Sequence, residues 1–384
     1  MNYKKYLSAF ICFFAGFGFA CAQTTDGRTG NIIQTAVPFL LVSPDARAGA
    51  MGEAGVATLP DANATHWNPS KLAYLKDSYG FSVSYSPWMQ KFVPDIHMAY
   101  LNGFYRLDDR NVIGGSLRYF SYGDIQMNNG PNPEDQLGTY NPNELAVDAS
   151  FARGFGENFS LGMAARFIYS NLSSGVVSSS QNIAGTAFAA DVSGYYKSDK
   201  KNFLGQQATY SAGLNISNIG TKVSYTDGGP KLFLPTNMRL GGALTYHADE
   251  LSDFTFTVDV NKLLVPSDPF SSKSVPAGIF GSFNDAPGGF SEEMQEINYA
   301  LGLEYWYNKQ FAIRAGYFYE SPDKGGRSYA TLGAGLKYNI VNIDMSYIAA
   351  NTQKSPLGQT LRFSLSFNFA EVAAAVKGKE EARD

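Results

Sequence analysis

The stretch LRFSLSFNF, Leu361 to Phe369, alternates apolar and polar residues without a break. Successive side chains of a β-strand point to opposite faces, so Leu361, Phe363, Leu365, Phe367 and Phe369 share one face while Arg362, Ser364, Ser366 and Asn368 share the other. One face suits hydrocarbon and the other suits water. The pattern recurs in Phe254, Phe256, Val258 and Val260 against Thr255, Thr257, Asp259 and Asn261. It recurs again in Val341, Ile343, Met345 and Tyr347 against Asn342, Asp344 and Ser346, and from Phe159 to Tyr169. Fourteen such segments can be counted, starting near Tyr79, Ile96, Asn111, Glu144, Asn158, Gly185, Ala208, Thr236, Ser252, Ile297, Gln310, Arg327, Ile340 and Gly358. The number is even. Most of the segments approach the roughly 9–11 tilted residues that cross a bilayer as a strand, and none reaches the roughly 18 uninterrupted apolar residues of a membrane helix. The expected class is all-β: a 14-stranded antiparallel transmembrane barrel over residues 78–369.

The links support this reading independently. Those after even-numbered segments are mostly short (107–110, 156–157, 248–251, 308–309), whereas those after odd-numbered ones are mostly long, notably 123–143, 219–235 and 263–296. Outer-membrane barrels have short periplasmic turns and long extracellular loops, so the alternation predicts a barrel in the cell outer membrane with both termini periplasmic. A secreted β-sandwich or soluble barrel would not require such alternation. The N-terminus agrees: Lys4 and Lys5, an apolar run from Leu7 to Phe19 and then Ala20-Cys21-Ala22 make residues 1–22 a secretory signal peptide. The competing reading makes Cys21 the lipidated first residue of a lipoprotein. With cleavage after Ala22, Cys12 and Cys21 leave with the signal, and disulfides, thiolate metal sites and cysteine nucleophiles are excluded.

Composition narrows the function. Charged residues make up 17% and aromatics 14%, with Gly 39, Tyr 24 and Phe 28, a pairing unlike the Leu- and charge-rich make-up of a soluble enzyme. A net charge of -4 and the lack of any basic stripe exclude a nucleic-acid partner. No hydrolase elbow, zinc-protease helix, phosphate loop or dinucleotide fingerprint occurs, so no catalytic residue, cofactor or metal is expected. His97 and His247 lie far apart in sequence, although His97, near the extracellular end of the second strand, is where a rim hydrolase would have to be built.

The inward face of the expected barrel carries Arg118, Asp148, Arg166, Asp191, Arg239, Asp259, Glu304, Arg314, Lys337, Asp344 and Arg362. Neighbouring strands often differ in sign, and such a lumen is an uncomfortable path for an apolar ligand. Fourteen strands also enclose more space than their own side chains fill. Residues 23–77 have no strand pattern but contain RAGAMGEAGVATLPDANATHWNPSKLA, Arg47 to Ala73. This segment is expected to be a lumenal hatch, with Gly52 and Gly55 permitting close packing and His66, Trp67, Asn68 and Pro69 forming a turn. His66 has no second ligand at metal-binding spacing and reads as a hydrogen-bonded structural residue.

The order of signal peptide, small-residue hatch with its HWNPSKLA turn and fourteen strands resembles the long-chain fatty-acid transporters of the outer membrane. FLLVSPDARAGAMGEAGVATLPDANATHWNPSKLA, Phe39 to Ala73, together with the SYSPW of Ser84 to Trp88, resembles more specifically the PorV family of the type IX secretion system. That resemblance implies a non-enzymatic barrel, surrounded by outer-membrane lipid, that takes cargo from the type IX translocon. It implies that cargo is held by its C-terminal signal domain and shuttled to the attachment complex containing the sortase. The first resemblance implies instead a transporter of hydrophobic small molecules such as long-chain fatty acids. The link from Leu263 to Glu296 carries four prolines, which are expected to keep it from becoming regular helix or strand. Its Phe270, Ile279, Phe280, Phe283 and Phe290 either fold onto the rim or dock a protein partner. The charged, Ala-rich residues 370–384 read as a periplasmic tail, either a short helix or a disordered end.

Overall fold

The computed structural model describes residues 32–88, 95–128, 130, 136–172, 182–350, 358 and 360–369. The expected signal peptide (1–22), the start of the hatch (23–31) and the tail (370–384) lie outside the described residues. The barrel strands are β1 (Tyr79–Pro87), β2 (His97–Arg106), β3 (Asn111–Ser121), β4 (Asn143–Phe155), β5 (Phe159–Asn171), β6 (Gly185–Lys197) and β7 (Gln206–Gly220). They continue with β8 (Asn237–His247), β9 (Ser252–Leu263), β10 (Ile297–Tyr307), β11 (Phe311–Tyr319), β12 (Ser328–Tyr338), β13 (Val341–Ala349) and β14 (Leu361–Phe369). Every strand pairs antiparallel with its sequence neighbours. β1 also pairs with β14, from Tyr79 opposite Phe369 to Tyr85 opposite Phe363, and this closes the sheet. Closure leaves no strand edge unpaired inside a bilayer, where no water could satisfy it.

Each strand begins within three residues of the position that the alternation indicates. The outcome is an inside-out sheet: in β14 the polar Arg362, Ser364 and Ser366 are buried while Leu361, Phe363 and Leu365 are exposed on the outer face. Tight reversals at one rim use left-handed backbone, at Gly156 (φ 80°) and at Asn308 and Lys309 (both φ 52°). The hairpin Ile125–Asn128 with Gln136–Tyr140 extends the β3–β4 link, and Lys201–Phe203 pairs with the start of β7.

Residues 32–75 thread the lumen. A 3₁₀ turn, Pro38–Leu41, comes first, then α1 (Ala46–Ala50), α2 (Ala64–Trp67) and a second 3₁₀ turn, Pro69–Tyr74. The path starts at the long-loop rim, where Ala36 N–H donates to Phe233 C=O at 2.8 Å. It ends at the short-turn rim, where Leu72 and Leu75 pack with Phe104, Val112 and Ala152. The first residue of β1 and the last of β14 share that short-turn rim, opposite Ala36.

Against expectation, the link 264–296 contains two helices, α3 (Val275–Gly281) and α4 (Phe290–Gln295). Pro276 stands in the first turn of α3, where its missing N–H costs nothing, and the Ser274 side chain caps that turn by accepting from Ala277 N–H. The remaining prolines, Pro266, Pro269 and Pro287, lie outside both helices.

Candidate functional site

Two regions carry chemistry: the filled lumen and the link 264–296. In the lumen, Asp45 caps α1 by accepting from Ala48 N–H at 2.9 Å and also accepts from Trp67 Nε1 at 2.6 Å. Arg47, on α1, donates to both oxygens of Glu304 (3.0 and 2.8 Å) and to Asp61 at 2.8 Å. Glu304 accepts in addition from Arg314 Nε at 2.6 Å, and Arg314 reaches Asp344 at 2.7 Å. A continuous chain of alternating charge thus joins the inner segment to β10, β11 and β13. A second cluster sets Arg166 between Asp148 and Asp191. Asp259 on β9 accepts from Gly55 and Val56 N–H at 2.7 and 2.8 Å, pinning the loop between the two helices to the wall.

The expected turn residues lie together. Trp67 is buried beneath the Arg239 guanidinium, 5.0 Å from its ring, and its C=O accepts from Asn215 Nδ2 at 3.0 Å. Asn68 Nδ2 donates to Val56 C=O at 3.0 Å and to Gly194 C=O at 3.1 Å, while Asn68 Oδ1 caps the turn opened by Pro69 by accepting from Ser70 N–H at 3.2 Å. His66 is buried, and its Nδ1 lies 2.5 Å from Arg118 Nη2. Among the described residues no group of His, Cys, Asp or Glu is disposed to hold a metal. His97 and His247 stay apart: His97 Nδ1 meets Asp95 C=O at the long-loop rim, and His247 pairs with Asp253 at the opposite rim.

Gly52 (φ 66°) leaves no room for a side chain, since a Cβ there would stand 2.5 Å from Tyr317 N and 2.7 Å from Leu301 O. At Gly55 a Cβ would meet the Trp67 ring at 2.5 Å. The barrel wall answers in kind. Gly162, Gly213, Gly241, Gly302, Gly316 and Gly333 all sit in inward register, and a Cβ at each would strike the inner segment. Sequence reading missed these wall glycines, whose signal is a glycine in polar phase halfway along a strand. Lys337 shares the inward face but stands exposed at the short-turn rim.

The link 264–296 is anchored by charge. Lys262 Nζ donates to Glu293 at 2.9 Å and Glu296 at 2.6 Å, and Lys324 Nζ donates to Glu292 at 2.6 Å and Glu296 at 3.1 Å. Gly278 lets α3 rest on the Phe233 ring. Above this base, Phe270, Phe280, Phe283 and Phe290 are 58%, 79%, 49% and 77% exposed. Ile279 is half-buried, and Phe283 leans back to within 6.0 Å of Lys262.

The model of the family described as "Type IX secretion system protein PorV" matches residues 24–270. The chain belongs to the PorV family. The match spans the inner segment and β1–β9 and ends at Phe270, partway into the exposed link. A search of curated proteins finds no match. Among solved structures, a deltaS2S3 mutant of the monoaromatic hydrocarbon channel TodX is similar with a TM-score of 0.53 and 13% identity, over 85% of this chain and 99% of that one. The Pseudomonas putida toluene transporter TodX gives 0.49 and 13% over 85% and 99%. A Pseudomonas aeruginosa FadL homologue gives 0.41 and 12% over 88% and 100%. At 13% identity the first of these similarities concerns the fold. This PorV-family chain is therefore an outer-membrane barrel tied to type IX secretion.

Proposed function

We propose that this PorV-family barrel is a non-enzymatic carrier of type IX secretion. It receives cargo from the translocon, holds it by its C-terminal signal domain and delivers it to the attachment complex containing the sortase. The long-loop rim faces outward and the short-turn rim, with the C-terminal end of β14, faces the periplasm. Residues 23–77 act as a hatch that keeps the lumen closed, so the working surface is the rim. Phe270, Ile279, Phe280 and Phe283 on the link 264–296 contact the translocon or the cargo signal domain.

Family membership carries this reading. The exposed phenyl rings support a rim site, because a loop already tied down by five buried or half-buried charged residues has no need of apolar groups in water. The ionic lumen counts against the alternative, a transporter of long-chain fatty acids or similar molecules. A hydrocarbon passing Arg47, Glu304 and Arg314 would strip their shared hydrogen bonds without replacing them.

The test changes Phe270, Ile279, Phe280 and Phe283 together to Ser. The variant barrel is expected to keep its resistance to heat and detergent while cargo at the cell surface falls and affinity capture from solubilised outer membrane loses the translocon or the cargo. Normal secretion with undiminished capture of both would sink the docking role and leave the link a lid.

A further inference from the structure

Just beneath the long-loop mouth the lumen holds a cavity of about 40 Å³. Trp67 and Phe318 line it together with Arg239, Arg327, Glu53 and Asn261. Most of these charges are neutralised: Arg327 grips Glu320 through Nε at 2.8 Å and through a second nitrogen at 2.9 Å, and Glu53 accepts from Arg362 at 3.2 Å. Arg239 is the exception. It is only 6% exposed and lies over the Trp67 ring. With the Asn237 amide turned to satisfy both its ends, Asn237 Oδ1 accepts from Arg239 Nε at 3.3 Å and Nδ2 donates to Lys262 C=O at 3.1 Å. This fixes the guanidinium plane and leaves its two terminal nitrogens.

The acids nearest Arg239 are committed elsewhere. Asp259 accepts from Gly55 and Val56 N–H, Asp191 pairs with Arg166 at 3.0 Å, and Glu53 serves Arg362. Among the described residues no carboxylate forms an ion pair with Arg239. A buried cation without a counter-ion is costly, and a guanidinium with two free terminal nitrogens matches the two oxygens of a carboxylate. The space is that of about three waters at roughly 10–15 Å³ each, which suits a short acid, and Phe318 supplies apolar lining.

We propose that Arg239, seated on Trp67 and oriented by Asn237, binds the carboxylate of a small organic acid in this cavity. The site is separate from the proposed docking loop, and the variants that test it leave that loop intact.

The test uses the full chain, folded in detergent, with carbon-13 acetate as the probe and saturation-transfer NMR as the readout. Saturable binding is expected in the parent. It should weaken at least tenfold in Arg239→Gln and in Asn237→Asp, which puts a fixed carboxylate beside Arg239, and survive in part in Arg239→Lys. Heat-modifiable gel mobility checks that each variant is folded. An octanoate titration separates the two sources of the group: affinity equal to acetate indicates a free small acid, and tighter binding that Arg239→Gln abolishes indicates the head of an acyl chain. No saturable binding by the parent, or unchanged affinity in both Arg239→Gln and Asn237→Asp, overturns the proposal.

Discussion

The lumen and the link 264–296 handle buried and exposed groups in opposite ways. In the lumen, Arg47, Glu304, Arg314 and Asp344 are buried and hydrogen-bonded to one another, while the apolar side chains of the same strands face outward. In the link, Glu293 and Glu296 are buried, as are Leu264 and Val265, while Phe280 and Phe290 stand in the open. The outward apolar residues of the strands are explained by lipid. Those of the link are not, because it lies beyond the strand ends. Ion pairs together with an apolar cluster that includes Phe39, Leu40 and Ile168 fill the lumen, whereas the link leaves large apolar groups uncovered.

The largest loss of stability is expected at Glu304. Replacing it with Ala leaves Asp61 as the acidic partner of buried Arg47 and Asp344 as that of Arg314, and the loss of a partner from a buried ion pair costs up to roughly 3–5 kcal/mol. The temperature at which the folded band converts on a gel should fall accordingly, and an unchanged temperature would mean that the inner segment is not held through this chain. Gly55→Leu follows, since its side chain would have to displace the Trp67 ring, at a cost of about 1–3 kcal/mol by overpacking. Gly52→Leu adds left-handed backbone to the same penalty. If these variants assemble with the parent's heat stability, the close approach to Tyr317 is not maintained in the membrane.

Much of this architecture was legible in the residues, for a reason that also marks the limit. A strand with lipid on one side and water or packed polar groups on the other must alternate, so LRFSLSFNF and its counterparts declare themselves locally. The pairings inside do not: Arg47 and Glu304 are 257 residues apart, and nothing near either names the other. The wall glycines were overlooked because a glycine in a strand reads as a weak point, whereas Gly316 is where Met51 and Gly52 pass. The helices α3 and α4 were missed because proline reads as a helix breaker, although Pro276 occupies a first-turn position where proline fits. The exposure of Phe280 and the half-burial of Ile279 depend on those helices and were hidden with them.

The base of the link offers a smaller, pH-dependent contrast. Burial raises the pKa of Glu293, but the Ala286 and Asp285 amides and Lys262 outweigh it and hold the carboxyl below its ordinary value of 4.5. A lowered folded-state pKa gives stability that is complete above the unfolded value and is lost as pH falls through the folded one. Protection of the link from limited proteolysis should therefore be flat at neutral pH and decline below about pH 4.5. Glu293→Gln should be cut at neutral pH with a flatter profile. Cleavage of the parent that is equally fast at neutral and acid pH would show that this tether is not what orders the link.

The smallest effect on the barrel is expected where the effect on its partners is largest. Phe280 and Phe290 are 79% and 77% exposed, so little contact is lost when both become Ser, and barrel stability should change by less than about 0.5 kcal/mol. If both rings are covered in a complex, each contributes about 1.5–3 kcal/mol of burial, and their joint loss should weaken capture by roughly two orders of magnitude or more. The two measurements together divide the possibilities. Unchanged stability with reduced capture identifies the rings as contact groups. A stability loss well above 1 kcal/mol would mean that they already pack on their own rim, and the link would then belong with the lumen as closed, internally satisfied structure.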